Sequence, residues 1–187
     1  MLKDALAEGQ NVDYREVSFI LGRLSALQKP ELIPIVLENL ERLYPVANSI
    51  AAFFKHFSDL EQVTREWVAE SLLLPVLNND SAKPSEYYCI WVLNLFHEHA
   101  DWNHAQDLLR VFRSTNSDTI RRFAALALAT SGTRSEAIQT PKYLPSASSL
   151  SRTAILLASA KMGTDERKYL RQGQRLNDPL EKLCATS

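Results

Sequence analysis

The chain is predicted to be all-α, folded as a HEAT-like α-solenoid of about ten helices in antiparallel pairs. Three observations carry that expectation. Apolar residues recur at helical spacing in segment after segment, and no segment keeps the period of two that a half-buried strand requires. Only 5 glycines occur in 187 residues, too few for a strand-and-turn architecture. Prolines and short polar clusters punctuate the chain at intervals that fit helix pairs of roughly 30 to 40 residues.

Glu16 to Gln28 opens the series, with Val17, Ile20, Leu21, Leu24 and Leu27 forming one amphipathic stripe. Pro30 suits a first helical position, where its missing N–H is an orphan in any case. The helix it starts carries Ile33, Val36, Leu37 and Leu40 and ends before Tyr44-Pro45, because a residue preceding proline avoids the α region. Pro45 opens the next helix, with Ile50, Phe53, Phe54 and Phe57. Ser58 and Asp59 are read as caps for a helix with Val63, Trp67, Leu72, Leu73 and Leu77, and with Pro75 near its end. Its tryptophan, like Trp91 further on, lies on an apolar face and is read as core.

After the polar break Asn78-Asn79-Asp80-Ser81, Pro84-Ser85-Glu86 starts an apolar helix with Tyr87, Tyr88, Ile90, Trp91, Leu95 and Phe96. Asp101 is read as the cap of the next, containing Ala105, Leu108, Leu109 and Phe112. Ser117-Asp118 caps another, with Ile120, Phe123, Ala124, Ala127 and Leu128 inside. Ser135 to Tyr143 is a weaker, proline-terminated segment, and Ser148 to Met162 a clear helix. Thr164-Asp165-Glu166 and Asp178-Pro179 begin the last two. No stripe runs unbroken for the three or four heptads that a long coiled coil needs.

An internal match supports a repeat. Arg121–Arg134 aligns with Arg152–Asp165 at an offset of 31, with 6 of 14 positions identical: Arg121/Arg152, Leu126/Leu157, Ala127/Ala158, Ala129/Ala160, Gly132/Gly163 and Thr133/Thr164. An alanine-rich helix that packs closely on its neighbour, then a glycine C-cap, would produce this pattern.

The expected organisation is a single repeat domain over 1–187 whose halves differ in charge. Residues 1–104 hold 8 Lys/Arg against 15 Asp/Glu, and residues 105–187 hold 13 against 7. Such asymmetry points to different partners at the two ends. No run approaches the ~20 apolar residues of a membrane span, and the first residues have no signal-peptide core. Cys89 and Cys184 are too far apart for a metal-ligand pair, so a reduced, cytoplasmic protein is expected.

Few residues promise catalysis. His97, His99 and His104 lack the i, i+4 spacing of a helical zinc motif, and no phosphate-binding glycine loop or nucleophile elbow occurs. Cys89 sits among apolar neighbours and reads as an inert thiol. No Asp-Asp pair provides a two-metal carboxylate site. The basic half is the better candidate. Arg121, Arg122, Arg134, Arg152, Arg167, Lys168, Arg171 and Arg175 recur over consecutive predicted helices, where a solenoid would align them into a stripe along a phosphate backbone. Tyr143 and Tyr169 would add stacking. The competing reading places Arg121 and Arg152 internally, bridging helices through hydrogen bonds. A HEAT-like DNA glycosylase is a further alternative, with Asp118 or Asp165 as its carboxylate.

Two stretches carry a resemblance: Leu32-Ile-Pro-Ile-Val-Leu-Glu-Asn-Leu-Glu-Arg-Leu-Tyr-Pro-Val46, and Ser151-Arg-Thr-Ala-Ile-Leu-Leu-Ala-Ser-Ala160 followed by Asp165-Glu-Arg-Lys168 and Leu176-Asn-Asp-Pro-Leu-Glu-Lys182. Together they resemble the C-terminal HEAT-like helical region of bacterial reverse transcriptases of the abortive-infection and phage-defence type. The resemblance implies that this chain is the C-terminal portion of a larger RNA-directed DNA polymerase. The catalytic Tyr/Phe-x-Asp-Asp motif and its magnesium would belong to a polymerase domain that precedes it. It also implies a non-catalytic role without a cofactor of its own, and self-association. On this reading the acidic half faces the polymerase domain or another protein. Arg121, Arg122, Arg152, Arg167, Lys168 and Arg171 line a path for single-stranded DNA or RNA. A free-standing protein-interaction scaffold is the alternative.

Overall fold

Some helices begin at a side-chain cap and others begin without one. The computed structural model describes residues 2–6, 11–27, 30–55, 60–78, 84–99, 102, 104–137 and 139–163. Among the described residues every regular element is helical and no strand occurs. No helix among them is long and apolar enough to cross a membrane. The chain divides into two compact units, Met1–Leu95 and Phe96–Ser187.

The first unit begins with the single turn α1 (Leu2–Ala5) and then α2 (Tyr14–Leu27). Asp13 caps α2, its Oδ1 accepting the backbone N–H groups of Arg15 at 2.9 Å and Glu16 at 3.3 Å. Helix α2 therefore starts before the Glu16 expected from its stripe. Val17, Ile20 and Leu21 are buried. They face α5 (Ala47–Lys55), the principal partner of α2, which buries Ile50, Phe53 and Phe54. The hydroxyls of Ser18 and Ser49 meet across this contact at 2.6 Å.

The helix expected from Pro30 to Leu43 is divided. A 3₁₀ turn (Pro30–Leu32) leads into α3 (Ile33–Glu38), and α4 (Leu40–Leu43) follows Asn39. The Asn39 amide donates to the Ile35 carbonyl at 2.9 Å, a local bond that competes with the helical ladder and marks the break. A second 3₁₀ turn (Tyr44–Val46) holds Pro45.

Helix α6 (Gln62–Leu77) follows Glu61, and the Ser58 and Asp59 caps expected for it lie outside the described residues. It buries Val68, Ala69, Leu72 and Leu73. Helix α7 (Glu86–Glu98) starts where Pro84-Ser85-Glu86 was expected to start it, and the Ser85 hydroxyl accepts the Tyr88 N–H at 3.2 Å. The wholly buried Tyr88 donates its own hydroxyl to the Leu72 carbonyl at 2.9 Å and packs its ring 4.5 Å from that of Tyr44. Burial first, then the neighbouring Tyr44 and Cys89, push its ionisation far above the ordinary phenol range.

The second unit takes the last residues of α7, then α8 (Ala105–Ser114), α9 (Asp118–Ser131), the single turn α10 (Arg134–Ala137), a 3₁₀ segment (Pro141–Ser146) and α11 (Ser149–Lys161). Asp101 lies outside the described residues, and the position before α8 is held by His104, which makes no side-chain cap bond. Ser117 and Ser148 cap α9 and α11, accepting the N–H groups of Ile120 at 3.2 Å and Ser151 at 3.3 Å. These caps too stand 31 residues apart, extending the repeat toward the N-terminus.

Helix α9 lies between α8 and α11. Both helices bury small side chains: Ala124, Ala125 and Ala127 on α9, and Ser151, Ala154 and Ala158 on α11. The short connection 115–117 makes α8 and α9 an antiparallel pair. Helices α9 and α11 instead run parallel. Asp118 at the start of α9 bonds Ser148 and Ser151 at the start of α11, and Gly132 past the end of α9 meets Met162 past the end of α11.

Candidate nucleic-acid interface

Of the six basic residues expected to line a nucleic-acid path, the structure describes Arg121, Arg122 and Arg152. Arg167, Lys168 and Arg171 lie outside the described residues, as do Arg175, Tyr169 and Asp165.

Arg121 occupies the fourth position of α9, half-buried, and turns back toward the end of α8. Its Nε donates to the Phe112 carbonyl at 3.4 Å and its Nη2 to the Thr115 carbonyl. The last carbonyls of a helix have no intrahelical donor and carry the negative end of the dipole, so a guanidinium there satisfies both needs. Arg152, at the fourth position of α11, does the same: its Nη1 donates to the Ala147 carbonyl at 2.9 Å. Arg121 is thus bonded to the end of α8, and Arg152 to the carbonyl of the residue two before its own helix. Arg122 is half-buried, with its guanidinium 5.1 Å from the ring centre of Phe123.

The structure brings other residues to Arg121. Tyr143, in the 3₁₀ segment, packs edge-on against Phe112 at 5.0 Å. The Arg121 guanidinium lies 5.5 Å from its ring centre and the Lys142 ammonium 5.2 Å. Exposed Arg113, at the end of α8, donates to Gln139 Oε1 at 3.2 Å, just before the same segment. One half-buried aromatic ring is thus approached by two cations, and a third is anchored near it in the chain. Tyr143 was legible as a stacking residue. Lys142 and Arg113 were not, because only the 3₁₀ segment folding against the end of α8 unites them.

Asp118 is fully engaged. It accepts the Ser148 N–H at 3.2 Å, the Ser148 hydroxyl, and the Ser151 hydroxyl at 2.7 Å. Partial burial pushes its carboxyl up, but the bonds from Ser148 and Ser151, with the charge of Arg121, outweigh this and hold it below the usual carboxylate range. Its place is a cap tying two helix starts together.

The histidines are also structural in their contacts. His97 Nδ1 donates to the Leu126 carbonyl at 2.9 Å, and the Thr130 hydroxyl donates to the His97 carbonyl at 3.1 Å. His99 stacks on Trp102 with ring centres 5.0 Å apart, and His104 meets the Phe96 ring edge-on at 5.7 Å. Among the described residues no three His, Cys, Asp or Glu side chains group to hold a metal.

Among the tryptophans, Trp102 is buried and Trp91 half-buried, packed edge-on against Tyr87 at 6.1 Å. Trp67 corrects the expectation that it belongs to the core: 43% of its surface is exposed, because α6 buries the face carrying Val68 and Leu72. Cys89 is buried as expected, and burial pushes its thiol up to about 11. No family model, no curated protein and no solved structure matches the chain.

Proposed function

We propose that this chain is a non-catalytic helical-repeat segment whose Phe96–Ser187 unit contacts single-stranded nucleic acid, as the appendage of a bacterial reverse transcriptase. The observation that carries the nucleic-acid reading is the cation-flanked Tyr143 ring, with Arg121 and Lys142 over it and Arg113 anchored to Gln139. A base has a π-face to lay on such a ring and a phosphate on each side for the cations. The unit holds 13 Lys/Arg against 9 Asp/Glu, which favours a polyanion.

The repeat reading draws support from the parallel α9 and α11. Equivalent helices of successive solenoid repeats run parallel, and these two share a serine cap, an inward arginine and a terminal glycine at the same offset. The polymerase reading rests on the resemblance of Leu32–Val46 and Ser151–Lys182. On it, magnesium and catalysis belong to a separate domain and the acidic first unit faces protein.

The test uses a labelled single-stranded oligonucleotide and a salt titration. Arg113→Ala, Arg122→Ala and Lys142→Ala together are expected to weaken binding at least about tenfold. Each lost phosphate contact flattens the log–log salt slope by about 0.7. Tyr143→Ala is expected to weaken binding with little change of slope. Unchanged affinity at low salt in both variants overturns the nucleic-acid reading. The polymerase reading is tested by the mass of the native protein in its source cells. A species far above 21.1 kDa that carries RNA-directed DNA synthesis supports it, and a species at 21.1 kDa without such a partner overturns it.

A further inference from the structure

Helix α6 is apolar on two faces and buries only one. Val68, Ala69, Leu72 and Leu73 are in the core, while Val63, Trp67 and Leu74 remain 77, 43 and 56% exposed. Those three positions are spaced i, i+4 and i+11, so they form one stripe along the helix rather than scattered surface residues. Isolated exposed apolar side chains are ordinary. A stripe that holds a tryptophan, the residue type most enriched at the energetic centres of interfaces, and is interrupted only by Glu70, marks a docking surface. The charges beside it have one sign in excess. Glu66 and Glu70 are exposed on the same side of α6, and Arg65 is the only cation of the helix.

We infer that the Val63–Trp67–Leu74 stripe of α6 docks a basic amphipathic helix from a partner protein. The apolar side of that helix covers Trp67, and its Lys or Arg residues meet Glu66 and Glu70. Charge decides between this occupant and a second copy. A symmetric α6-on-α6 contact sets the glutamates of one copy against those of the other, which costs affinity, whereas a basic helix gains from them. The inference rests on the proposal that the acidic unit faces protein and adds the place and the chemistry.

The test measures binding of a dye-labelled model helix of about 14 residues, with leucines at i, i+3, i+4 and i+7 and lysines elsewhere. The intact chain is the receptor and fluorescence anisotropy the readout. The expected result is saturable binding, weakened at least tenfold by Val63→Ser, Trp67→Ser and Leu74→Ser together. Glu66→Lys with Glu70→Lys is expected to weaken it comparably, as is replacing the peptide lysines by glutamates. All positions are exposed, and circular dichroism confirms that the variants fold. Three results overturn the inference: no saturable binding, binding indifferent to the serine variant, or equal binding of the glutamate peptide. A concentration-dependent dimer of the chain alone, abolished by the serine variant in sedimentation equilibrium, overturns it in favour of a second copy. A serine variant that still co-purifies with a polymerase polypeptide overturns this docking site and leaves the broader reading standing.

Discussion

Replacing Arg121 separates the two roles that its position allows. In Arg121→Ala the Thr115 and Phe112 carbonyls at the end of α8 lose their guanidinium donors. A hydrogen bond from a charged donor contributes about 1.5–3 kcal/mol when well formed and buried. The Phe112 bond is long at 3.4 Å and Arg121 is only half-buried, so the lower end applies to the Thr115 bond and little to the other. The favourable cation at the end of α8 adds about 0.3–1 kcal/mol, partly the same interaction. The expected loss is about 2 kcal/mol. Arg152→Ala, which loses the bond to the Ala147 carbonyl, is expected to lose about 1 kcal/mol. Arg122→Ala, whose guanidinium lies over a ring beside it in the chain, is expected to stay within about 0.5 kcal/mol. Urea denaturation followed by far-UV circular dichroism reads all three. Arg121→Lys adds a discriminating case, since it keeps the charge but loses the planar fork. It should lose most of the stability while retaining most of the oligonucleotide affinity. An Arg121→Ala midpoint equal to wild type, accompanied by a collapse of oligonucleotide binding, would refute the structural assignment and leave Arg121 a nucleic-acid contact alone.

Three further outcomes follow from other sites. Gly132→Ala places a Cβ 2.3 Å from Met162 Sδ and 2.5 Å from the Leu128 carbonyl oxygen, so it should destabilise by about 1–3 kcal/mol; Met162→Ala should recover only part, and full recovery would show that the backbone contact costs nothing. Burial raises the Glu136 carboxyl, but bonds from Thr133 and Ser135 outweigh it and lower the net value, so its stabilising contribution is present above the ordinary 4.5 and lost as pH falls through the depressed folded value; Glu136→Gln should remove this acid-side loss, and equal pH slopes in both proteins below about pH 5 would contradict it. With Cys184→Ser in place, Cys89 should react with a thiol reagent only as fast as the protein opens, and immediate labelling of the native protein would show that it is accessible.

Much of the helical layout follows from local rules. The stripe of Val17, Ile20 and Leu21, the Ser117 cap and the helix starts at Ser85 and Ser148 need only neighbours a few residues away, so local pattern reads them directly. Thr133 to Glu136 was equally readable as a capping box, with Glu136 Oε2 accepting the Thr133 N–H at 2.8 Å, although apolar periodicity is weak there. Trp67 was not readable in the same way. Helix α6 carries apolar residues on both faces, and a period of 3.6 says nothing about which face the core takes. The Tyr143 cluster was out of reach for another reason. Arg113, Arg121 and Tyr143 belong to three segments, and no spacing rule brings those segments together before the fold is known.

The repeat shows how identical residues acquire different duties. Gly163 follows α11 with φ 75°, a left-handed conformation in which a side chain is strained, and a Cβ there would meet nothing within 4 Å. Gly132 follows α9 with φ −76° and ψ 160°, conformational values open to any residue, but a Cβ there collides with Met162 and with Leu128. One glycine answers to its own torsion and the other to its neighbour's side chain. The neighbour is Met162, which immediately precedes Gly163, so the end of one repeat helix sets the size limit at the end of the other. Arg121 and Arg152 keep a common duty across the same offset because each answers to carbonyls beside its own helix start. Across the internal match, the arginines governed by local geometry keep their role, while the glycine at the contact between α9 and α11 does not. A substitution tolerated at Gly163 therefore carries no information about Gly132, although the two occupy the same place in the alignment.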